Sequence, residues 1–132
     1  MTGLLGLSVR YHEDRTAVVG VIGDVDLHTA RSLRAYATNA VGRDAPHLVL
    51  DLAGVDFVDS SGLSTLIALL HATQAAGGSI RLAGVPDRLA RMVTMTGVSE
   101  LLPVHATVAD ALAVRAAEDA PDGPGGEPAA SG

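Results

Sequence analysis

Residues 48–63 carry the feature that most constrains how this chain can fold. An apolar run ending at Leu52 predicts a buried strand, and an acidic turn with two adjacent serines, Ser60 and Ser61, follows it. An amphipathic helix is predicted to begin at these serines. Because a helix N-terminus offers unpaired amides and partial positive charge, a phosphate on a serine hydroxyl is favoured there. A serine that gains and loses phosphate acts as a switch. The same residues also suit an ordinary helix N-cap, so both interpretations stay open.

Strand and helix patterns alternate along the rest of the chain. Strands are predicted over residues 5–11, 16–22, 47–52, 79–83 and 101–104, and helices over residues 27–41, 61–76, 86–96 and 107–117. The first two strands read as a hairpin, and the later alternation implies right-handed crossovers and a mainly parallel sheet. We predict one α/β domain over residues 1–117, with a mixed, mostly parallel sheet of four to five strands, an N-terminal hairpin and about four helices.

The spacing of apolar residues predicts which side of two helices faces the core. The predicted inner positions are Leu63, Leu66, Ile67, Leu70 and His71 or Thr73 on the second helix, and Leu89, Met92, Val93 and Met95 or Thr96 on the third. Beyond the last helix, residues 118–132 are acidic and rich in Pro and Gly, with no large apolar side chain to bury. We predict that this tail is disordered.

Composition excludes several classes of function. The chain has no cysteine, which removes disulfides, thiolate catalysis and zinc–sulfur sites. Its net charge is −6 without a basic stripe, which argues against direct DNA binding. Five histidines show no ligand spacing, so no metal site or cofactor is predicted. The apolar stretches are too short to span a bilayer and no secretory signal is visible, so a cytoplasmic protein without membrane insertion is expected.

A catalytic role for Ser60 is the weaker alternative. His71 lies about three helical turns beyond it, about 16 Å along the axis, which is too far for a triad base. The Gly-x-Ser-x-Gly elbow of hydrolases is also missing. A distant His28 or His105 remains available in principle, so the sequence argues against a hydrolase without excluding it.

The segment of residues 55–63, Val-Asp-Phe-Val-Asp-Ser-Ser-Gly-Leu, resembles the signature of anti-sigma factor antagonists, the bacterial STAS-domain proteins. Residues 23–26, Gly-Asp-Val-Asp, are similar to the Gly-Glu-Leu-Asp turn of that family. The order of elements matches over about residues 4–115. The resemblance implies a STAS-like fold and a protein that is not an enzyme. In that family an anti-sigma factor with serine kinase activity phosphorylates the first serine after the aspartate, which is Ser60 here.

The resemblance also implies a cycle of partner switching. The unphosphorylated antagonist binds the anti-sigma factor and releases a sigma factor, phosphorylation breaks the complex, and a serine phosphatase resets it. The alternative is a STAS scaffold subunit of a stress-signalling or transport-associated assembly that does not switch. The chain departs from the family pattern at Ser64, where Gly is common, and at Asp24, where Glu is common; Ser61 and Ser64 are therefore the alternative phosphoacceptors.

The candidate partner-binding residues come from both segments. They are Asp24, Asp26, Asp56, Asp59, Ser60, Ser61, Gly62 and Leu63. From the residues alone, Asp24 and Asp26 are expected in a turn and a helix cap, and Asp56 either in a turn or on a complementary surface. Asp59 would orient the acceptor hydroxyl or its proton. Gly62 would let a partner approach the backbone closely.

Overall fold

The computed structural model describes residues 5–12, 14–97 and 100–119, and these form five strands and four helices. The elements in chain order are β1 (Gly6–His12), β2 (Thr16–Val25), α1 (Ala30–Ala40), β3 (His47–Val58), α2 (Ser60–Ala75), β4 (Ile80–Ala83), α3 (Asp87–Met95), β5 (Val104–His105) and α4 (Val108–Asp119).

The strands form one sheet in the order β1-β2-β3-β4-β5. The β1–β2 hairpin is antiparallel, and every later pair is parallel. Each parallel pair is joined by one of the helices α1, α2 and α3. The predicted α/β class, the mixed sheet with its opening hairpin and the four helices are therefore confirmed.

The two faces of the sheet carry cores of unequal size. On one face, strand residues such as Leu50 and Leu82 pack with Leu33 of α1, Leu69 of α2 and Val93 of α3. On the other face, Val18 and Val49 pack with residues of α4. Because α1, α2 and α3 each follow a parallel strand, all three begin at the carboxyl edge of the sheet. This edge is where the candidate site lies.

Two central strands are longer than predicted. β2 continues past Ile22 to Val25, and β3 continues past Leu52 to Val58, because their last residues pair with each other after two register shifts. The predicted turn role of Asp24, and the turn alternative for Asp56, were wrong, because both residues lie within strands; the surface alternative for Asp56 stays a prediction. Their side chains are exposed, so backbone pairing continues without burying a carboxylate.

Several helix positions differ from the prediction. On α2, Leu69 is fully buried while Ile67 is only half-buried, because the inner face is rotated toward residues 62, 66, 69, 70 and 73. Met95 or Thr96 was predicted on the inner face of α3, but Met95 is 83% exposed and Thr96 is exposed as well. α4 ends at Asp119, two residues beyond the predicted domain limit, and residues 120–132 of the predicted tail lie outside the described residues.

Candidate functional site

Asp59 caps the N-terminus of α2. Its backbone is extended, and its Oδ1 accepts a hydrogen bond of 2.8 Å from the amide of Ser61. The carbonyl of Asp59 accepts a second bond from the amide of Gly62 at 2.9 Å. Neither serine serves as the cap, so the serine hydroxyls are not used for capping. Ser60 is the first residue of α2 and is exposed, whereas Ser61 is half-buried.

Gly62 allows the first turn of α2 to lie directly on the ends of two strands. A Cβ at this position would lie 2.3 Å from Cγ2 of Val58 and 3.4 Å from Cγ1 of Val25. Gly62 is buried, so the structure gives it a packing role, and the approach of a partner to its backbone stays a prediction. This contact fixes where Ser60 stands relative to the sheet.

Asp26 organises the turn that leads into α1. Its Oδ1 accepts hydrogen bonds from the amides of His28 at 2.8 Å and Thr29 at 3.0 Å, and its own amide donates to Oγ1 of Thr29 at 3.0 Å. This reciprocal pairing is a capping box. The Thr29 amide lowers the pKa of the Asp26 carboxyl because it donates to the charged form. Asp26 therefore caps the turn over residues 27–29 that leads into α1, whereas the N-cap of α1 itself is Thr29 and α1 begins at Ala30, not at residue 27.

The two capped turns lie side by side at the carboxyl edge of the sheet. Val25 is aligned with Val58 in the parallel register, and the amide of Asp59 donates to the carbonyl of Val25 at 3.2 Å. Asp26 and Asp59 directly follow these two aligned residues. The structure therefore brings together two segments that are more than thirty residues apart in sequence.

The remaining candidate residues surround this pair of turns. Asp24 and Asp56 stand exposed near the ends of β2 and β3, where Asp24 is aligned with Phe57. Leu63 is half-buried against the main core, and Ser64 is exposed one helical turn beyond Ser60. The edge thus combines an exposed serine hydroxyl with several carboxylates.

Sequence reasoning missed two apolar side chains and one cation at this edge. Leu27 is 74% exposed and Phe57 is 44% exposed, and the guanidinium of Arg88 lies over the Phe57 ring with Cζ 5.9 Å from its centroid. The one phenylalanine of an aromatic-poor chain was a signal for Phe57. No sequence signal pointed to Arg88, because α3 lies beside the site only as a result of the strand order in the folded sheet.

The histidines do not support a hydrolase at Ser60. Among the described residues, no hydrogen bond joins a histidine to Ser60. His105 bonds through Nε2 to Nη1 of Arg81 at 3.1 Å, and His71 is exposed farther along α2. The same residues hold no group of three or more His, Asp or Glu side chains placed to bind a metal ion. In that part of the chain, no helix has both the length and the apolar character to cross a bilayer.

The mixed sheet, with a capped serine turn at its carboxyl edge, has the architecture of a STAS domain. The chain belongs to the STAS domain family, which it matches over residues 9–111. It is 28% identical over 102 residues to the anti-sigma F factor antagonist of Paenibacillus polymyxa, covering 76% of this chain and 87% of the relative.

Solved structures share this fold. An anti-sigma factor antagonist from Mycobacterium paratuberculosis superposes with a TM-score of 0.72 at 28% identity, covering 88% of this chain and 99% of that one. The Bacillus cell fate determinant SpoIIAA in its phosphorylated form gives a TM-score of 0.66 at 19% identity, covering 83% of this chain and 98% of that one. At that identity, the SpoIIAA likeness concerns the fold alone.

Proposed function

We propose that this protein is an anti-sigma factor antagonist that works as a binding switch and not as an enzyme. In its unphosphorylated form it binds an anti-sigma factor with serine kinase activity and so releases a sigma factor. The observation that carries the proposal is the exposed Ser60 hydroxyl at the start of α2, left free because Asp59 caps the helix. The names of the relatives support the same role. The protein acts in the cytoplasm through these partners, without binding DNA itself.

Phosphorylation of Ser60 switches the protein off. The Ser60 oxygen attacks the γ-phosphorus of ATP held by the kinase, the bond to ADP breaks, and the hydroxyl proton leaves to a base. The kinase supplies the ATP site, and this chain supplies a positioned hydroxyl. Asp59 contributes by fixing the first turn, since its Oδ1 accepts from the Ser61 amide. A serine phosphatase reverses the modification.

The phosphate breaks the complex through its charge. It adds about −1.5 to −2 charges at neutral pH to an edge that already carries Asp24, Asp26, Asp56 and Asp59. Within the free chain, the amides of the α2 N-terminus tolerate this charge. In a desolvated contact with a partner, an unpaired dianion is costly, so the complex dissociates.

Ser60 is favoured over the two other hydroxyls by its position. Ser61 is half-buried, and its amide is held by Asp59. Ser64 is exposed but lies one turn into α2, away from the free helix end. A kinase that needs an accessible hydroxyl at the edge would therefore reach Ser60 first.

The test uses the protein with its co-purified kinase partner and ATP. Mass spectrometry should locate phosphate on Ser60, Ser60→Ala should abolish labelling, and the matched variant Ser64→Ala should leave it intact. Ser60→Asp should weaken binding to the anti-sigma factor. Label on Ser64 alone, or unchanged affinity of Ser60→Asp, would instead favour a STAS scaffold that does not switch.

A further inference from the structure

Arg88 and Ser60 occupy equivalent places on neighbouring helices. Ser60 is the first residue of α2, which follows β3, and Arg88 is the second residue of α3, which follows β4. Because β3 and β4 are parallel neighbours, both helices begin at the same edge of the sheet, and α2 packs beside α3. Packed helices lie about 8–10 Å apart, which is within the combined reach of an arginine and a phosphoserine.

The contact with Phe57 places the guanidinium near the serine turn. Arg88 Cζ lies 5.9 Å from the centroid of the Phe57 ring, and both side chains are exposed. Phe57 precedes Ser60 by three residues, so their Cα atoms are at most about 11 Å apart. The Arg88 side chain is exposed, so it is able to rotate between the Phe57 ring and other partners at this edge.

The position of Arg88 is not explained by the stability of its own helix. A cation in the first turn opposes the helix dipole, and Asp87 is the residue there with the favourable sign. Among the residues that the structure describes, both ion pairs use Glu118, so Arg88 has no carboxylate partner. A cation over an exposed ring is held only weakly. Arg88 is therefore a charged group available to a stronger anion.

We propose that Arg88 is the counter-ion of the phosphate on Ser60, and that phosphorylation draws its guanidinium away from Phe57. This inference rests on the proposed phosphorylation of Ser60. A guanidinium pairs with phosphate through two parallel N–H bonds, which the ring cannot offer. Phosphorylation then changes the surface that a partner would contact in two ways. It neutralises the charge of Arg88, and it uncovers the Phe57 ring. Arg88 is a positioning residue, because the place of its side chain depends on whether Ser60 carries a phosphate.

The test measures the phosphate itself and requires no kinase. Phosphoserine is installed at position 60 during translation, and its second pKa, ordinarily about 6, is followed by phosphorus NMR. A paired guanidinium favours the dianion and lowers this pKa, so Arg88→Ala should raise it by a few tenths of a unit. Arg88→Lys should raise it less. Arg31→Ala is the matched control, because Arg31 is exposed and is the second residue of α1 at the same edge.

A second readout follows the aromatic ring. Phosphoserine at position 60 should shift the Phe57 ring resonances of the wild type, and Arg88→Ala without phosphate should shift them in the same direction. The proposal is overturned if Arg88→Ala leaves the phosphate titration unchanged, or if Arg31→Ala changes it equally. A failure of the kinase to label Ser60 would contradict the proposed function and would leave this titration unaffected, so the two failures are distinguishable.

Discussion

The amide of Asp59 donates a hydrogen bond to the carbonyl of Val25 at 3.2 Å. This bond extends the β2–β3 ladder beyond Val58 and into the turn that bears Ser60. Asp59 also caps α2 through its side chain, so one residue joins the strand ladder to the helix start. The backbone amides on both sides of Ser60 are therefore hydrogen-bonded. The residues that make these bonds can be replaced one at a time.

Replacing Gly62 should destabilise the domain by overpacking. In Gly62→Ala the new Cβ would lie 2.3 Å from Cγ2 of Val58, a stiff β-branched side chain. We expect a loss of about 1–3 kcal/mol in the free energy of unfolding, measured by urea denaturation. Gly42→Ala is the control, because nothing lies within 4 Å of its Cβ position. In a Val58→Ala background the Gly62→Ala substitution should cost less, and an undiminished cost would contradict the contact.

Removing the cap of α2 should cost stability independently of charge. Asp59→Ala loses the acceptor for the Ser61 amide, and we expect a loss of about 0.5–2 kcal/mol on chemical denaturation. Asp59→Asn keeps an acceptor and should remain near the wild type. Asp56→Ala removes an exposed carboxylate from the same edge and should change stability by less than about 0.5 kcal/mol. Equal stability of the Ala and Asn variants at position 59 would show that the cap bond contributes little.

Stability should fall in mild acid because of His105. Burial, and then the charge of Arg81, lower the pKa of His105 below its ordinary value of 6.5. The unfolded chain therefore binds more protons than the folded one in this range, so stability is full above about pH 6.5 and is lost as pH falls toward the lowered pKa. Asp110 and Glu118 act in the opposite direction and limit the effect.

Urea denaturation at pH 7.5 and 5.5 measures this dependence. The loss in the wild type should exceed the loss in His105→Gln, which keeps a polar side chain without the titration. An identical loss in both proteins would assign the acid sensitivity to other groups. Asp26, whose pKa is also lowered, contributes only at more acidic pH and does not confuse the comparison.

Glu118 should contribute measurably to the attachment of α4. Its carboxylate pairs with Arg81 of β4, and its Oε1 lies 3.4 Å from Nη1 of Arg115. Both arginines are buried, so Glu118→Ala removes an anion from two desolvated cations, and a loss of about 1–3 kcal/mol is expected. Glu100→Ala, at an exposed position, is the control for the change in net charge. Thermal unfolding of both variants measures this loss, and equal midpoint temperatures would contradict a role of Glu118 in stability.

The sequence predicted those parts of the molecule that depend on local pattern. Among the described residues, apolar periodicity found four strands and four helices, whereas the last strand was predicted over residues 101–104 and lies at Val104–His105. The acidic turn before Ser60 located the edge where the site lies. The ends of β2 and β3 were missed because their pairing is long-range, and backbone hydrogen bonds across the sheet override the local turn character of Asp24 and Asp56. The role of Gly62 was missed for the same reason, since Val58 and Val25 approach it only in the folded sheet.

The order of the strands also bears on what a partner can recognise. The edge is assembled from segments around Asp26, Ser60 and Arg88, and each follows a different strand. A free peptide with the sequence of residues 55–63 would contain the complete motif but none of this arrangement. Such a peptide should therefore be a poor kinase substrate and a poor competitor for the anti-sigma factor. Phosphorylation of Ser60 by the partner kinase would then require the natively folded domain and not only the serine itself.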